Sequence, residues 1–382
     1  MSGFSRWAMV LAAAVLCAQP LSMAAQSAAA QQALSFERQG LWHEAESAWR
    51  QVLEQNPRDA AASAHLGLVL AREGQYPGAV DAYRAALKLD PHIPGLQLDL
   101  GLALFKQGKL DEAVAPLRAA AVASPGELQP RLLLAMSYYG TARYAEAIPD
   151  LRFALSKSPD NLELRGVLAQ SCLYAKQYNC TLEQYRQILA ANPNSAQAHM
   201  LAGEALDGLN RSADAIAEFQ AAEKVAPSEP DVHFGLGYLL WKQSRYREAE
   251  REFELELKNV PNQPQALAYL GDTEMKLEQQ SQAQTHLQQA LRLPGAPRLA
   301  WVDLGILLAA QGKNDQAATE FQHAIAMDPT EVDAHWRLAR LYQAEGKRAE
   351  AQAEFARASA LHQKQDESLV RQISGPQAAP NH

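Results

Sequence analysis

Proline recurs in this chain at a fixed interval of 34 residues. Pro57, Pro91, Pro125, Pro159, Pro193, Pro227, Pro261 and Pro329 fall on one ruler, and the one vacant mark is Gly295, with Pro294 beside it. A period of this length across a whole chain specifies an array of one supersecondary unit, since a single globular core has no reason to repeat its punctuation. Length alone, 382 residues, suggests two or three domains; the unbroken period overrides that estimate. Arrays present long surfaces to partners and seldom carry chemistry of their own.

Each period has the same grammar. Between Ala60 and Ile93 the chain reads Leu66-Gly67 and Leu70, then Gly74, then Ala79, Tyr83 and Ala86, and finally Pro91. Leu66, Gly67 and Leu70 share one face of a helix, and Ala79, Tyr83 and Ala86, stepping by four and three, share one face of a second. Gly74 stops the first helix and the proline closes the second. The following period repeats this with Leu100-Gly101, Leu104, Gly108, Ala113, Leu117, Ala120 and Pro125.

This pattern resembles the tetratricopeptide repeat. The likeness rests on the 34-residue period, small residues at register positions 8 and 20, an aromatic residue or Leu at 24, usually Ala at 27, and Pro at 32. Counted from Gln26, ten repeats follow without slippage, the last starting at Val332. The resemblance implies an all-α fold, a right-handed α-solenoid of stacked antiparallel helix hairpins over 26–365. A capping helix end is expected at 366–373 and a disordered tail at 374–382. Repeat 9 is closest to the pattern, whereas repeat 5 departs from it with Thr181 at position 20 and Cys172 at position 11.

Residues 1–25 stand apart. Arg6 precedes an apolar run from Trp7 to Ala18, Pro20 breaks it, and Ser22-Met23-Ala24 offers the small residues of a cleavage site. This is the outline of a secretory signal peptide, too short to span a bilayer at about 20 residues. The expected location is therefore periplasmic, with an uncleaved N-terminal anchor as the alternative. Removing the leader takes the net charge from −8 to −9, because only Arg6 leaves with it. An acidic chain of this kind argues against nucleic acid or an anionic membrane surface as the main partner, since both need clustered Lys and Arg.

The chain lacks the sequence signatures of chemistry. Gly235 and Gly237 lie within a predicted helix, not after a strand, and there is no His-Glu-x-x-His and no Cys-x-x-Cys. His199, His233 and His335 share register position 4 on separate helices, where partly buried packing is the simpler role. No catalytic residue, metal site, cofactor or small-molecule substrate is expected. Cys172 and Cys180, at positions 11 and 19 of repeat 5, face each other across one interhelical turn. Paired helices sit about 8–10 Å apart and a disulfide needs Cα atoms within about 7 Å, so a disulfide and a pair of free thiols both stay open.

In the family that the pattern resembles, first helices line a concave groove, and positions 2, 5, 9 and 12 point into it. Here that stripe is often apolar. Repeat 3 carries Leu98, Leu102 and Phe105, and repeat 4 carries Leu132, Met136 and Tyr139. Repeat 5 adds Leu173 and, at position 13, Tyr174. Phe234, Tyr238 and Trp241 follow in repeat 7, Val302 and Ile306 in repeat 9, and Trp336 with Arg340 in repeat 10. A second apolar face on a helix wants a second partner. Glu204 and Asp207 of repeat 6 interrupt the stripe, splitting an aliphatic patch from an aromatic one. The family's clamp for C-terminal carboxylates needs Lys and Asn at positions 5 and 9, and no repeat has both; repeat 2 has Ala64 and Leu68. The asparagine ladder of its sugar-transferase members is absent too, with His65, Asp99, Leu133 and Val167 at that register.

The expectation is a non-enzymatic scaffold of the cell envelope that binds apolar segments of proteins or peptides in its groove. The alternative is a structural subunit of an envelope assembly or export machine, such as those of pili, polysaccharide or the outer membrane, where the array is a spacer. Stable copurification with membrane proteins would favour the second.

Overall fold

The computed structural model describes residues 28–374, with side chains through 367. The expected leader at 1–25 lies outside these residues, and so does the expected tail, except for Ser374. Among the described residues there are twenty α-helices and no strand, and no helix is long and apolar enough to cross a membrane. The all-α array of helix hairpins expected from the period is what the chain forms.

The chain divides into two compact blocks that meet in sequence at Pro159 and Asp160. The N-terminal block holds α1 (Ala28–Gln39), α2 (Trp42–Gln55), α3 (Ala60–Arg72), α4 (Tyr76–Leu89), α5 (Leu96–Lys106), α6 (Leu110–Ala123), α7 (Leu128–Gly140) and α8 (Tyr144–Lys157). The C-terminal block begins with α9 (Leu162–Tyr174), α10 (Tyr178–Ala191), α11 (Ala196–Gly208), α12 (Ser212–Val225), α13 (Val232–Lys242) and α14 (Tyr246–Asn259). It continues with α15 (Pro264–Lys276), α16 (Gln280–Leu291), α17 (Arg298–Ala310), α18 (Asn314–Met327), α19 (Val332–Ala344) and α20 (Arg348–Ser374). Odd-numbered helices are the first of each hairpin. Within each block, first helices pack on their own partner and also reach the next first helix, as α3 does α5 and α13 does α15. α20 runs unbroken through the segment expected to cap the array.

The prolines act at the ends of the second helices. The residue before each has left the helical region, with φ −136° and ψ 84° at Asn56, −139° and 101° at Asp90, and −130° and 79° at Val260. A following proline ring disfavours the α conformation at that residue. Repeat 8, which lacks the proline, ends differently: α16 stops at Leu291, Arg292 stays α-helical, and Gly295 turns the chain at φ 77°.

Close approach within each hairpin comes from position 8 meeting position 24. A Cβ added to Gly67 would lie 2.5 Å from the Tyr83 ring, and one added to Gly305 would lie 2.6 Å from Phe321. Ala79, Ala113, Ala249 and Ala317, all at position 20, are completely buried in the same seam. A larger side chain at either position would push the helices apart.

In all ten repeats, the turn inside the hairpin places position 15 at positive φ. Five of these residues are glycines (Gly40, Gly74, Gly108, Gly312, Gly346) and five are not (Ala142, Lys176, Asn210, Ser244, Glu278). In repeat 5 a disulfide closes over this turn. Cys172 and Cys180 are both buried and bonded, with Cα atoms 5.8 Å apart. At 5.8 Å the two Cα atoms stand nearer than the usual interaxial spacing of about 8–10 Å.

Candidate peptide-binding face

The stripe residues of the first helices differ in how much surface they offer. In the N-terminal block Leu98, Leu102, Phe105, Leu132 and Tyr139 are half-buried, and Met136 is buried. Tyr139 meets Tyr144 edge-on at 5.7 Å. In the C-terminal block Leu173 and Val302 are buried, the latter packed with Ala324 and Ala334, and Ile306 is half-buried beside them. Tyr174 and Trp336 are exposed, at 54% and 42%. The exposed Arg340 lies over the Trp336 ring at 4.9 Å, capping one of its faces.

Repeats 7 and 8 hold the densest grouping. Phe234, Tyr238 and Trp241 run along α13, with ring centroids 6.5 Å and then 6.0 Å apart. Tyr269 of α15 stands edge-on to all three, at 5.8, 5.4 and 5.2 Å. All four rings are half-buried. Edge-to-face packing of this kind adds about 0.5–1.5 kcal/mol per pair beyond area burial. The start of α13 is held from below. Glu256 of α14, buried at position 27 where Ala is usual, accepts from the backbone N–H of Asp231 at 2.9 Å and of Phe234 at 3.1 Å. Asp231 sits in the left-handed region at φ 70°, and the helix starts after it. A buried carboxylate on the first N–H groups of a helix answers its positive end.

Acidic groups frame this panel. The Trp241 indole Nε1–H donates to Asp272 Oδ2 at 2.6 Å. Asp272 and Asp303 are both buried, and Asp303 Oδ2 has no hydrogen-bond partner. Burial, followed by the like charge of Asp272, pushes the Asp303 carboxyl up to about 8, against the opposing pull of Lys276 and Arg337. Burial likewise raises the Tyr269 hydroxyl, helped by Tyr238, Asp272 and Asp303. On the repeat 6 side, Asp207 accepts from Lys242 Nζ at 2.6 Å while that ammonium lies 5.5 Å from the Tyr238 ring. Burial and then Asp231 raise the Glu204 carboxyl. The break expected from Glu204 and Asp207 is thus the near edge of an acidic frame that continues into repeats 8 and 9.

Tyr269, Asp272 and Asp303 were not among the residues expected from the sequence. Tyr269 and Asp303 sit at position 6, where they meet the preceding first helix, and the stripe of repeat 8 holds only Ala268 and Met275 as apolar residues, with no ring to draw attention to it. An aromatic residue at position 6 directly after a repeat with three aromatic stripe residues is the signal that would have found Tyr269.

The three position-4 histidines belong to a recurrent link between position 4 and position 23 of one hairpin. His199 pairs with Glu218 at 2.7 Å, His233 with Glu252 at 2.8 Å and His335 with Glu354 at 2.5 Å. Elsewhere Arg131 donates to Asp150 at 2.6 Å and Arg165 to Gln184 at 2.9 Å in the same registers.

Family models described as tetratricopeptide repeat match residues 30–94, 74–127, 182–230, 206–266 and 269–332 with one model, and 138–204 and 308–373 with a second. No curated protein matches the chain. Among solved structures the chain is similar to YrrB, described as a TPR protein with an unusual peptide-binding site. The two are 24% identical over 46% of this chain and 91% of that one, with a TM-score of 0.39. It is similar to MamA at 20% identity over 43% and 96% of the two chains, TM-score 0.39. Its likeness to yeast Tom70 covers 87% and 91% at 15% identity, TM-score 0.43.

Proposed function

Because this chain belongs to the tetratricopeptide repeat family, whose arrays are protein-interaction scaffolds, we propose that it is an exported scaffold of the cell envelope. In this reading it grips apolar segments of partner proteins on its first-helix face and performs no catalysis. The observation that carries the reading is the half-buried panel of Phe234, Tyr238, Trp241 and Tyr269. Four large rings that rest on the hairpin core yet stay half-buried form a surface that a partner can dry. An aromatic side chain buries about 150–250 Å² in full; a partner would cover the part that these half-buried rings still leave open, and aromatic anchors dominate interface energies. The leader-like residues 1–25 support export, and the two bonded cysteines suit an oxidising compartment.

The test uses a photoactivatable residue at Tyr238, or at Trp336 as a second site, with crosslinking in cells and identification of the captured proteins. The expected result is a defined set of envelope proteins that the Tyr238→Ala/Trp241→Ala variant no longer captures from Trp336. An unchanged set in that variant overturns the assignment of the aromatic panel as the gripping surface.

A further inference from the structure

The joint between repeats 6 and 7 carries a set of side chains that the peptide-binding face does not use. His233 of α13, Glu252 of α14 and Glu223 of α12 each bring one donor atom into a group whose members lie within 4.8 Å of one another. His233 Nδ1 stands 2.8 Å from Glu252 Oε2. The other ring nitrogen is already committed: Nε2–H donates to the carbonyl of Pro227 at 2.9 Å. A carbonyl can only accept, so the ring proton is fixed on Nε2. A neutral ring then presents the Nδ1 lone pair to two carboxylates. Lone pair against anionic oxygen is repulsive unless a proton or a cation stands between them. Histidines that bind metals are oriented in this way, with the far N–H held by a backbone carbonyl or carboxylate.

The chain supplies its own control. In repeat 10 His335 makes the same two contacts, Nδ1 to Glu354 at 2.5 Å and Nε2–H to the Pro329 carbonyl at 3.2 Å. There the residue in the register of Glu223 is Ile325, and in repeat 5 it is Leu189. One carboxylate and one proton suffice to close such a joint. The second carboxylate is particular to the joint between repeats 6 and 7, and among the described residues no cation or hydrogen-bond donor pairs with Glu223.

We propose that His233 Nδ1, Glu223 and Glu252 bind one divalent transition-metal ion that ties α12 to the hairpin of α13 and α14. One imidazole nitrogen with two carboxylate oxygens suits zinc and its neighbours, whereas the soft thiolates that select copper(I) are missing. Donors at about 2.0–2.2 Å from such an ion stand about 3.4 Å apart, so the ion draws Glu223 inward and opens the His233–Glu252 pair slightly. Both glutamates are only partly buried, which leaves room for that movement and for a water in the fourth position.

The experiment uses the full chain freed of metal with a chelator. Zinc is titrated by calorimetry, cobalt(II) serves as the spectroscopic probe, and thermal unfolding is followed with and without zinc. The expected result is one equivalent of zinc per chain and a raised unfolding midpoint. Glu223→Gln should weaken binding by about tenfold or more and remove the midpoint shift, while Glu354→Gln at the control joint leaves both unchanged. Glu223→Leu, which copies the repeat 5 residue, is the second variant should the first alter the metal-free melt. No saturable binding, or binding that survives both Glu223 substitutions, overturns the proposal.

Discussion

Asp99 and Asp303 occupy the same register, position 6 of repeats 3 and 9, one in each block. Both are raised by burial, Asp99 to about 6 and Asp303 to about 8. The difference lies in the neighbours. Arg72 pulls Asp99 down, while Asp272 pushes Asp303 further up. The surfaces around them differ in the same sense. The N-terminal block lines its first helices with Leu98, Leu102, Phe105 and Leu132. The C-terminal block sets rings against carboxyl groups, with Trp241 bonded to Asp272. A fixed repeat therefore determines where a side chain points, and the adjoining repeats determine its chemistry. One face is a general apolar surface, and the other combines aromatic area with acid.

The largest expected effect separates these faces by removing a ring from each. Trp241→Ala deletes a half-buried ring and leaves Oδ2 of the buried Asp272 without its donor, with Lys276 still 3.7 Å from Oδ1, and it is expected to cost about 3 kcal/mol. Phe105→Ala loses packing alone and should cost about 1–2 kcal/mol. Trp241→Phe isolates the lost hydrogen bond at about 1–2 kcal/mol. Urea unfolding of the three variants checks the order. If Phe105→Ala costs as much as Trp241→Ala, the carboxyl below the aromatic panel contributes nothing.

The second effect is a pH window. The folded pKa of Asp303 is raised above the unfolded value of about 3.9, so the folded chain holds one more proton than the unfolded chain between those values. Stability contributed by the protonated acid is complete below the unfolded value and falls as pH rises until the folded pKa is passed. For Asp303 that fall continues to about pH 8, and for Asp99 it is over by about pH 6. At about 1.4 kcal/mol per pH unit for one proton, Asp303→Asn should remove roughly 2 kcal/mol of the stability lost between pH 6 and pH 8. Asp99→Asn should flatten the curve mainly between pH 4 and pH 6. Denaturant midpoints at pH 5, 6, 7 and 8 read both windows, and identical profiles for the two variants would contradict the pairing of Asp303 with Asp272.

How much of this was legible in the sequence follows from what a period can encode. The spacing of Pro57 to Pro329, the small residues facing Tyr83 and Phe321, and the identity of the two helices in each repeat were all readable, because they depend on one repeat and its own hairpin. That Phe234, Tyr238 and Trp241 share one side of their helix was readable for the same reason. Depth was not. Val302 and Ile306 share a stripe, yet one is buried and the other half-buried, because the side chains of the next repeat decide which is covered. Tyr269, Asp272 and Asp303 were missed because their significance lies between repeats. Asp272 reads as a polar interruption until Trp241 is found to donate to it. The Glu223–His233–Glu252 group also spans a joint, and register alone named only its histidine.

The smallest effect contrasts the hairpin turns of the two regions. Repeats 2 and 3 turn on Gly74 and Gly108, whereas repeats 7 and 8 turn on Ser244 and Glu278, all four at positive φ. A left-handed backbone costs a residue with a Cβ about 1 kcal/mol, which glycine avoids. Glu278→Gly is expected to stabilise the C-terminal block by about 0.5–1 kcal/mol, the gain being reduced by the greater freedom of glycine in the unfolded chain. Gly108→Ala should destabilise the N-terminal block by a similar amount, since no neighbour lies within 4 Å of an added Cβ and only the backbone conformation is at issue. Thermal melts of the two single variants and the native chain decide it. Opposite signs mean that the strain is local to the turn. A loss in both means that the Glu278 side chain stabilises its turn by more than its conformation costs, and the aromatic face would then rest on a turn selected for its side chain rather than tolerated.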